Sequence, residues 1–390
     1  MVTSIPTLHK PATYLPDHVI TLEETLALIT REHANARALD QALSMIANTG
    51  VQARHLIDPI DRVTAPRGFG ERNRTFEAEA KRVTPALVDE ALDHAGLDRP
   101  DIDAVIFVSC TGFMMPSMTA WLINRLRLDP TTVQIPISQL GCAAGAAGIN
   151  RAADHVRAHP GANAVVVSCE LCSLCYQPAD DSVGSLLSKG LFGDAMSAAI
   201  VSSGPTATDA DGLQIHKVGS YLIPDTERWI SYDVLDSGFH FRLDKRVPSM
   251  MAPIAPRIAQ FAADYAWDVD DLDFYIIHAG GPRILDELGT SLEIPLDEFH
   301  HSRETLTQCG NIASSVVLEA TARSWDAGVI SPGARGLLAG FGPGITTESS
   351  LLTAVGEFPT TQTLPTASTP MRGSHGDREL VAAHTPAKPR

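Results

Sequence analysis

The stretch Gln139-Leu140-Gly141-Cys142-Ala143-Ala144-Gly145-Ala146-Ala147-Gly148 decides the fold. An apolar run, Val133 to Ile137, reads as a strand, and it breaks at Gly141 into a long Ala-rich helical pattern that stops near His159-Pro160-Gly161. Cys142 therefore stands where a strand hands over to a helix. Unpaired backbone N–H groups and the positive dipole end favour an anion there, so the sulfur should ionise more readily than a free thiol. A second reading is open on this stretch alone: a small-residue helix start permits close packing, with Cys142 a buried small hydrophobe.

The same layout occurs twice. An amphipathic helix, Thr84 to Ala95, leads to Asp101-Ile102-Asp103-Ala104-Val105-Ile106-Phe107-Val108-Ser109-Cys110, a strand too apolar to have a wet face. A helix over 253–266 likewise leads to Asp271-Leu272-Asp273-Phe274-Tyr275-Ile276-Ile277-His278-Ala279-Gly280. Asp103 and Cys142 are 39 residues apart, Asp273 and Asn311 are 38 apart, and Gln139-Leu140-Gly141-Cys142 pairs with Gln308-Cys309-Gly310-Asn311. Each is followed by an Ala-rich helix and a strand, Ala164 to Ser168 and Gly336 to Gly340.

Two copies of one αβ unit predict an α/β fold with a pseudo-twofold axis and equivalent helix N-termini facing each other. Apolar strands between helices predict largely parallel sheets. The symmetry brings Cys142 and Asn311 to equivalent corners of one cavity, with His278 ending the central strand of the second copy. The expected division is 1–220 for the half with the cysteine, 221–357 for the half with His278 and Asn311, and a disordered Thr/Pro/Ser/Ala-rich tail over 358–390. Residues 22–47 read as one helix, and the charged segment 51–82 as a surface wrap.

Of 390 residues, 44% are hydrophobic and 19% charged, which places the chain among globular proteins. A formal net charge of −16 with no compensating Lys/Arg block argues against nucleic acid and anionic membranes as partners. No apolar stretch has membrane-spanning length, and the first residues lack the apolar core of a secretory signal. Six cysteines, three of them in Cys169-Glu170-Leu171-Cys172-Ser173-Leu174-Cys175, do not make a disulfide framework, so a reduced, cytoplasmic protein is expected. Metal ligation by that cluster would need a further ligand, and small packing or cavity-lining cysteines are the alternative.

Cysteine, histidine and a carboxamide supply a nucleophile, a base and an oxyanion donor. A thiolate–imidazolium pair at Cys142 and His278 would attack thioesters, and the Asn311 amide could hold an enolate or tetrahedral oxyanion. Two classes fit: acyl transfer with carbon–carbon bond formation, and hydrolysis. The bland alternatives are a satisfied core histidine at 278 and a helix-capping asparagine at 311.

Gln139 to Gly145, His278-Ala279-Gly280-Gly281-Pro282, Gly310-Asn311-Ile312-Ala313-Ser314 and Gly340-Phe341-Gly342-Pro343-Gly344 resemble the type III polyketide synthases, relatives of chalcone synthase, over about residues 10 to 355. Cys110-Thr111-Gly112-Phe113-Met114-Met115-Pro116-Ser117 and Cys172-Ser173-Leu174-Cys175-Tyr176-Gln177-Pro178 resemble its bacterial naphthalene-forming members. The resemblance implies a thiolase-like αβαβα five-layer fold, a homodimer, and no cofactor beyond malonyl-CoA as substrate. It assigns the thioester to Cys142 and enolate stabilisation to His278 and Asn311. It makes Phe192 and Phe241 the gate of the cavity, Tyr232, Cys172 and Cys175 its wall, and Met115 a loop residue closing the partner's cavity next to an often-cis proline. The implied product is an aromatic pentaketide, a tetrahydroxynaphthalene; an alkyl pyrone from an acyl starter is the alternative. Gly280 and Arg54 are the coenzyme A contacts it leaves, with Arg37 a second candidate, because Leu39 to Asn48 lacks the family's basic residues and carries Ser44 instead of an arginine.

Overall fold

The computed structural model describes residues 5–203 and 211–356. The chain enters through β1 (Pro6–Leu8), β2 (Ala12–Tyr14) and β3 (His18–Thr21), followed by α1 (Leu22–Glu32) and α2 (Leu39–Ala47). Next come β4 (Ala53–Leu56), α3 (Ile60–Thr64) and the long α4 (Phe69–Ala95). The first half continues with β5 (Ala104–Ser109), α5 (Met118–Leu126), β6 (Val133–Ser138), α6 (Ala144–Ala158), β7 (Asn163–Leu171), α7 (Val183–Leu191) and β8 (Asp194–Ser203). β9 (Gly212–Thr226) leads into a hairpin of β10 (Ile230–Leu235) and β11 (Gly238–Leu243). The second half then runs through α8 (Met251–Ala263), β12 (Phe274–Ile277), α9 (Pro282–Leu292), α10 (His300–Cys309), α11 (Val316–Asp326), β13 (Arg335–Gly342) and β14 (Gly344–Val355).

The large sheet runs β12-β13-β14-β9-β1-β8-β7-β5-β6, with β2 alongside β8. The duplication is visible in its pairing: β5 is parallel to β7, which is antiparallel to β8, and β12 is parallel to β13, which is antiparallel to β14. The three-residue β1 joins the halves, pairing with β8 on one side and β9 on the other. The expectation of largely parallel sheets is corrected, since β5/β6, β5/β7 and β12/β13 are the parallel pairs among the described strands. β13 and β14 are separated by Pro343 alone, and so short a link permits only an antiparallel return.

Strand alternation divides the interior into layers. Ile106, Val108 and Val166 face a central core shared with Ile276 and Leu338, and into it α6 brings Ile149 and α11 brings Val317. Their neighbours Val105, Phe107, Val165 and Val167 face the opposite way, under α4 and α5. Tyr275, Ile277 and Leu337 face a third core under α8 and α9. The period-2 side-chain pattern with both faces covered thus yields helix, sheet, helix, sheet, helix.

Two local expectations change. The helix over 22–47 is broken between α1 and α2, where His33 caps α1, its buried side chain 2.8 Å from Lys189 Nζ and paired with Asp181. The segment 51–82 is structured, holding β4, α3 and the first half of α4. In α4, Phe76, Ala80, Val83, Leu87, Ala91 and Leu92 form one buried stripe that begins at Arg72, whose buried guanidinium donates to Arg67 O and Leu174 O, while most of the other charges of the helix occupy its remaining faces. The anticipated division at 220 falls inside β9, and the tail over 358–390 lies outside the described residues. No described helix is long and apolar enough to cross a membrane.

Candidate active site

β6 ends at Ser138, and Cys142 follows within a tight 3-10 turn, Gly141–Ala143, that opens α6. Gly141 has φ +51°, and a methyl group there would lie 2.6 Å from Pro343 Cδ. At Gly145 the two halves approach closely. A methyl on it would sit 2.0 Å from the Ser314 carbonyl oxygen, so the start of α6 rests backbone to backbone on the turn that follows Asn311.

The second corner is built in the same manner. Gly310 has φ +72°, and a methyl on it would be 2.6 Å from the Leu191 carbonyl. Asn311 N–H donates to Leu191 O at 2.9 Å, and Gly193 N–H donates to Asn311 O at 3.1 Å, which stitches Asn311 alongside Phe192. His278 follows β12, with its N–H donating to Ala339 O at 2.8 Å. The corners differ in register: α6 starts two residues after Cys142, whereas α11 starts five after Asn311.

One oxygen joins the three side chains. Asn311 Oδ1 accepts the Ala313 N–H at 2.9 Å, faces His278 Nε2 at 3.4 Å and receives the Cys142 thiol at 3.8 Å. The Ala313 N–H fixes the amide orientation, so the imidazole proton resides on Nε2. His278 Nδ1 is buried without a hydrogen-bond partner. Burial works against the expected thiolate–imidazolium pair. Burial, reinforced by the Glu170 charge, pushes the Cys142 thiol up to about 12, and burial drives His278 down to about 4. Desolvation therefore outweighs the helix N-terminus at this sulfur.

Glu170 is the residue that sequence reading passed over. It is fully buried in β7, accepting from Cys110 N–H at 3.1 Å, Thr111 Oγ1 at 2.9 Å and the Ser314 hydroxyl. It ties the Cys110 loop to the turn after Asn311, and burial raises its carboxyl to about 7. A single charge inside the apolar run Val165 to Leu171 was the available signal.

Cys142, His278 and Asn311 open onto a cavity of about 860 Å³. Phe192, at the end of α7, meets Phe241 of β11 edge to face with centroids 5.2 Å apart. Tyr232 is 5.8 Å from Phe241 and 5.5 Å from Phe239. Gly280 lines the cavity, and a methyl there would lie 3.0 Å from His278 Cε1, so its bareness keeps the imidazole face open. Cys172 borders this cavity and a small neighbouring chamber; Cys175, bonded to Tyr232, lines the chamber alone.

One anticipated site residue lies elsewhere. Arg54 does not reach a surface phosphate: its buried guanidinium donates to Phe192 O at 3.1 Å and Thr25 Oγ1 at 2.7 Å, near the Asp194 carboxylate. Met115 does not line its own chain's cavity; it is 84% exposed beside the cis Met115–Pro116 bond. Arg37 is exposed and outside the lining, and the cation on the wall is Arg283. The cysteines of 169–175 form no metal-ligand group among the described residues. His300, His301 and Glu304 bring ligand atoms within 4.8 Å of one another on α10, but Glu304 is already engaged by Gln308 at 3.0 Å and Arg323 at 3.5 Å.

Comparison with known proteins agrees with this geometry. Residues 62–205 match the family description "Chalcone and stilbene synthases, N-terminal domain" and residues 214–356 the corresponding C-terminal domain. A 1,3,6,8-tetrahydroxynaphthalene synthase of Streptomyces coelicolor is 57% identical over 345 residues, 88% of this chain and 91% of the relative. A phloroglucinol synthase of Pseudomonas fluorescens is 43% identical over 353 residues, 90% of this chain and 99% of the relative. The crystal structure of the Streptomyces coelicolor tetrahydroxynaphthalene synthase superposes with a TM-score of 0.86 at 56% identity, covering 89% of this chain and 99% of that one. With a duplicated thiolase-like core, a cysteine at its central helix start and both domains matched, the chain belongs to the chalcone and stilbene synthase family of type III polyketide synthases, which are condensing acyltransferases.

Proposed function

We propose that the protein condenses malonyl-CoA iteratively on Cys142 and cyclises the chain to 1,3,6,8-tetrahydroxynaphthalene. The observation that carries this reading is the convergence of Cys142, His278 and Asn311 on one cavity of about 860 Å³ behind the Phe192–Phe241 pair. The sulfur attacks the thioester carbonyl of the starter, the thiol proton goes to the departing coenzyme A sulfur, and His278 Nε2–H remains a donor to the carbonyl oxygen. A further malonyl-CoA then loses CO₂. Its enolate oxygen is held by His278 Nε2–H and the Asn311 NH₂, and its carbon attacks the acyl group on Cys142, breaking the C–S bond so that the Cys142 thiolate leaves and the lengthened chain stands on coenzyme A; the thiolate then recaptures the chain, releasing coenzyme A, before the next round. No cofactor is needed beyond the thioester itself.

Support for the product comes from the relative at 57% identity and from a wall that combines apolar rings with Tyr232 and Cys172. With no basic residue on α2, we assign the carrier phosphates to Arg283, the cation on the lining. A second copy of the chain would cover the edge strand β6 and the exposed Phe113 and Met115, with Met115 closing the other cavity. Six unpaired thiols suit a cytoplasmic location.

Incubation with malonyl-CoA alone, followed by mass spectrometry, tests the reading. Tetrahydroxynaphthalene or its oxidation product flaviolin is expected. Phloroglucinol, a pyrone formed only with an added acyl starter, or thioester hydrolysis without CO₂ release would each overturn it.

A further inference from the structure

The β10–β11 hairpin carries Tyr232, Phe239 and Phe241 to the cavity, yet it pairs with no strand of the large sheet. Its turn is tied to α4 by the Phe69 N–H, which donates to Asp236 O at 3.1 Å, and its hydrogen bonds toward α7 and the Phe192 side of the gate are made through side chains. Phe241 faces the gate, so the residues on either side of it, His240 and Arg242, point to the opposite face of β11. Both meet the same carboxylate. Asp180 Oδ2 accepts from Arg242 at 2.9 Å and from His240 Nδ1 at 3.0 Å.

The same residue also holds the other side of the gate. Asp180 Oδ1 accepts the Ser182 N–H at 3.0 Å, and the Ser182 hydroxyl caps α7, the helix that ends at Phe192. The Asp180 carbonyl accepts from Lys189 Nζ of α7 at 3.1 Å. Arg242 completes the link with a second bond to the Ser182 hydroxyl at 3.3 Å and one to Asp233 at 2.8 Å, and His240 faces the Ser237 hydroxyl at 2.7 Å. The Asp180 side chain is 12% exposed. Despite its burial, hydrogen bonds from His240, Ser182 and Arg242 hold its carboxyl well below the usual carboxylate range.

We propose that Asp180 is a positioning residue that fixes the spacing between Phe241 and Phe192, and thereby the bulk of the group that can reach Cys142. This rests on reading the cavity as the acyl-chain chamber. Removing the carboxylate frees both flanks of Phe241 at once, and the hairpin can then move away from α7.

The test is selective alkylation of the full-length protein, read at the Cys142 peptide by mass spectrometry. Asp180→Ala should raise the rate with N-phenylmaleimide relative to iodoacetamide at least about 5-fold, with the iodoacetamide rate within about 2-fold of wild type. Asp180→Asn, which keeps the shape and some of the hydrogen bonds, should give a smaller rise. If Asp180→Ala does not fold, Arg242→Gln on the half-exposed side carries the test, with about a 2-fold rise expected. An unchanged ratio in a folded variant, or an equal rise with both reagents, overturns the proposal. The readout needs no turnover of malonyl-CoA, so failure of the gate clamp and failure of the condensation reading are separate results.

Discussion

The corner at Cys142 and the β10–β11 hairpin border one cavity, but they are held in opposite ways. At the corner, backbone touches backbone: Gly145 lies against Ser314 O and Gly310 against Leu191 O, with no room for a methyl at either place. The hairpin is held mainly through side chains, the partly exposed Asp180–Arg242 pair and the Gln177 amide among them, with the Phe69 N–H to Asp236 O as a backbone tie at its turn. Atoms that must keep their geometry through every condensation sit on the duplicated, close-packed core. Atoms that set the shape of the product sit on an unduplicated appendage whose contacts can change without disturbing that core.

If this contrast is right, core substitutions should stop the chemistry and hairpin substitutions should redirect it. Cys142→Ala should abolish product from malonyl-CoA, a loss beyond about 10³-fold, with the fold intact by circular dichroism. Full product formation in that variant would break the comparison at its strongest point. Asn311→Ala removes an enolate donor and the oxygen that anchors His278. It should slow release of labelled CO₂ from carboxyl-labelled malonyl-CoA by about 10²–10³-fold, and His278→Ala should fall in the same range.

The core also carries a pH signature. Burial raises the Glu170 carboxyl from 4.5 to about 7, so between those values the folded protein binds more protons than the unfolded chain. Stability from this residue is present below 4.5 and is lost as pH rises through 7. Denaturant titrations at pH 4.5 and pH 8 should show wild type losing about 3 kcal/mol relative to Glu170→Gln over that interval. His278, held at about 4, acts in the opposite direction but is common to both proteins and drops out of the difference. A pH-independent difference would mean the Glu170 proton is not linked to folding.

The smallest effect on rate and the largest on outcome belongs to the hairpin. Tyr232→Gly removes a ring 5.8 Å from Phe241 and should alter starter choice or chain length, while total malonyl-CoA consumption stays within about 10-fold. Unchanged product ratios would place shape control elsewhere on the wall.

Much of this was legible in the chain. The paired Asp-apolar-Asp strands, the repeated Gln-x-Gly corner and the spacing to Cys142 and Asn311 are local patterns, and local patterns report strand period, turn and helix start directly. The five-layer arrangement follows from strands with no wet face. What could not be read depends on contacts between residues far apart. Glu170 meets Ser314 across 144 positions, Asp180 meets His240 and Arg242 across about 60, and Arg54 points inward to Phe192 across 138. Charge suggested that Arg54 was free for a phosphate; burial decided otherwise.

By itself, then, the sequence determined the duplication, the identity of the three chemical groups and the corners on which they sit, because short-range periodicity and small residues encode backbone path. The tertiary structure alone decided that burial opposes charge on the cysteine and the histidine, how large the cavity is, which cation lines it and what holds its gate. Those properties come from desolvation and packing, which exist only once distant segments exclude water from one another.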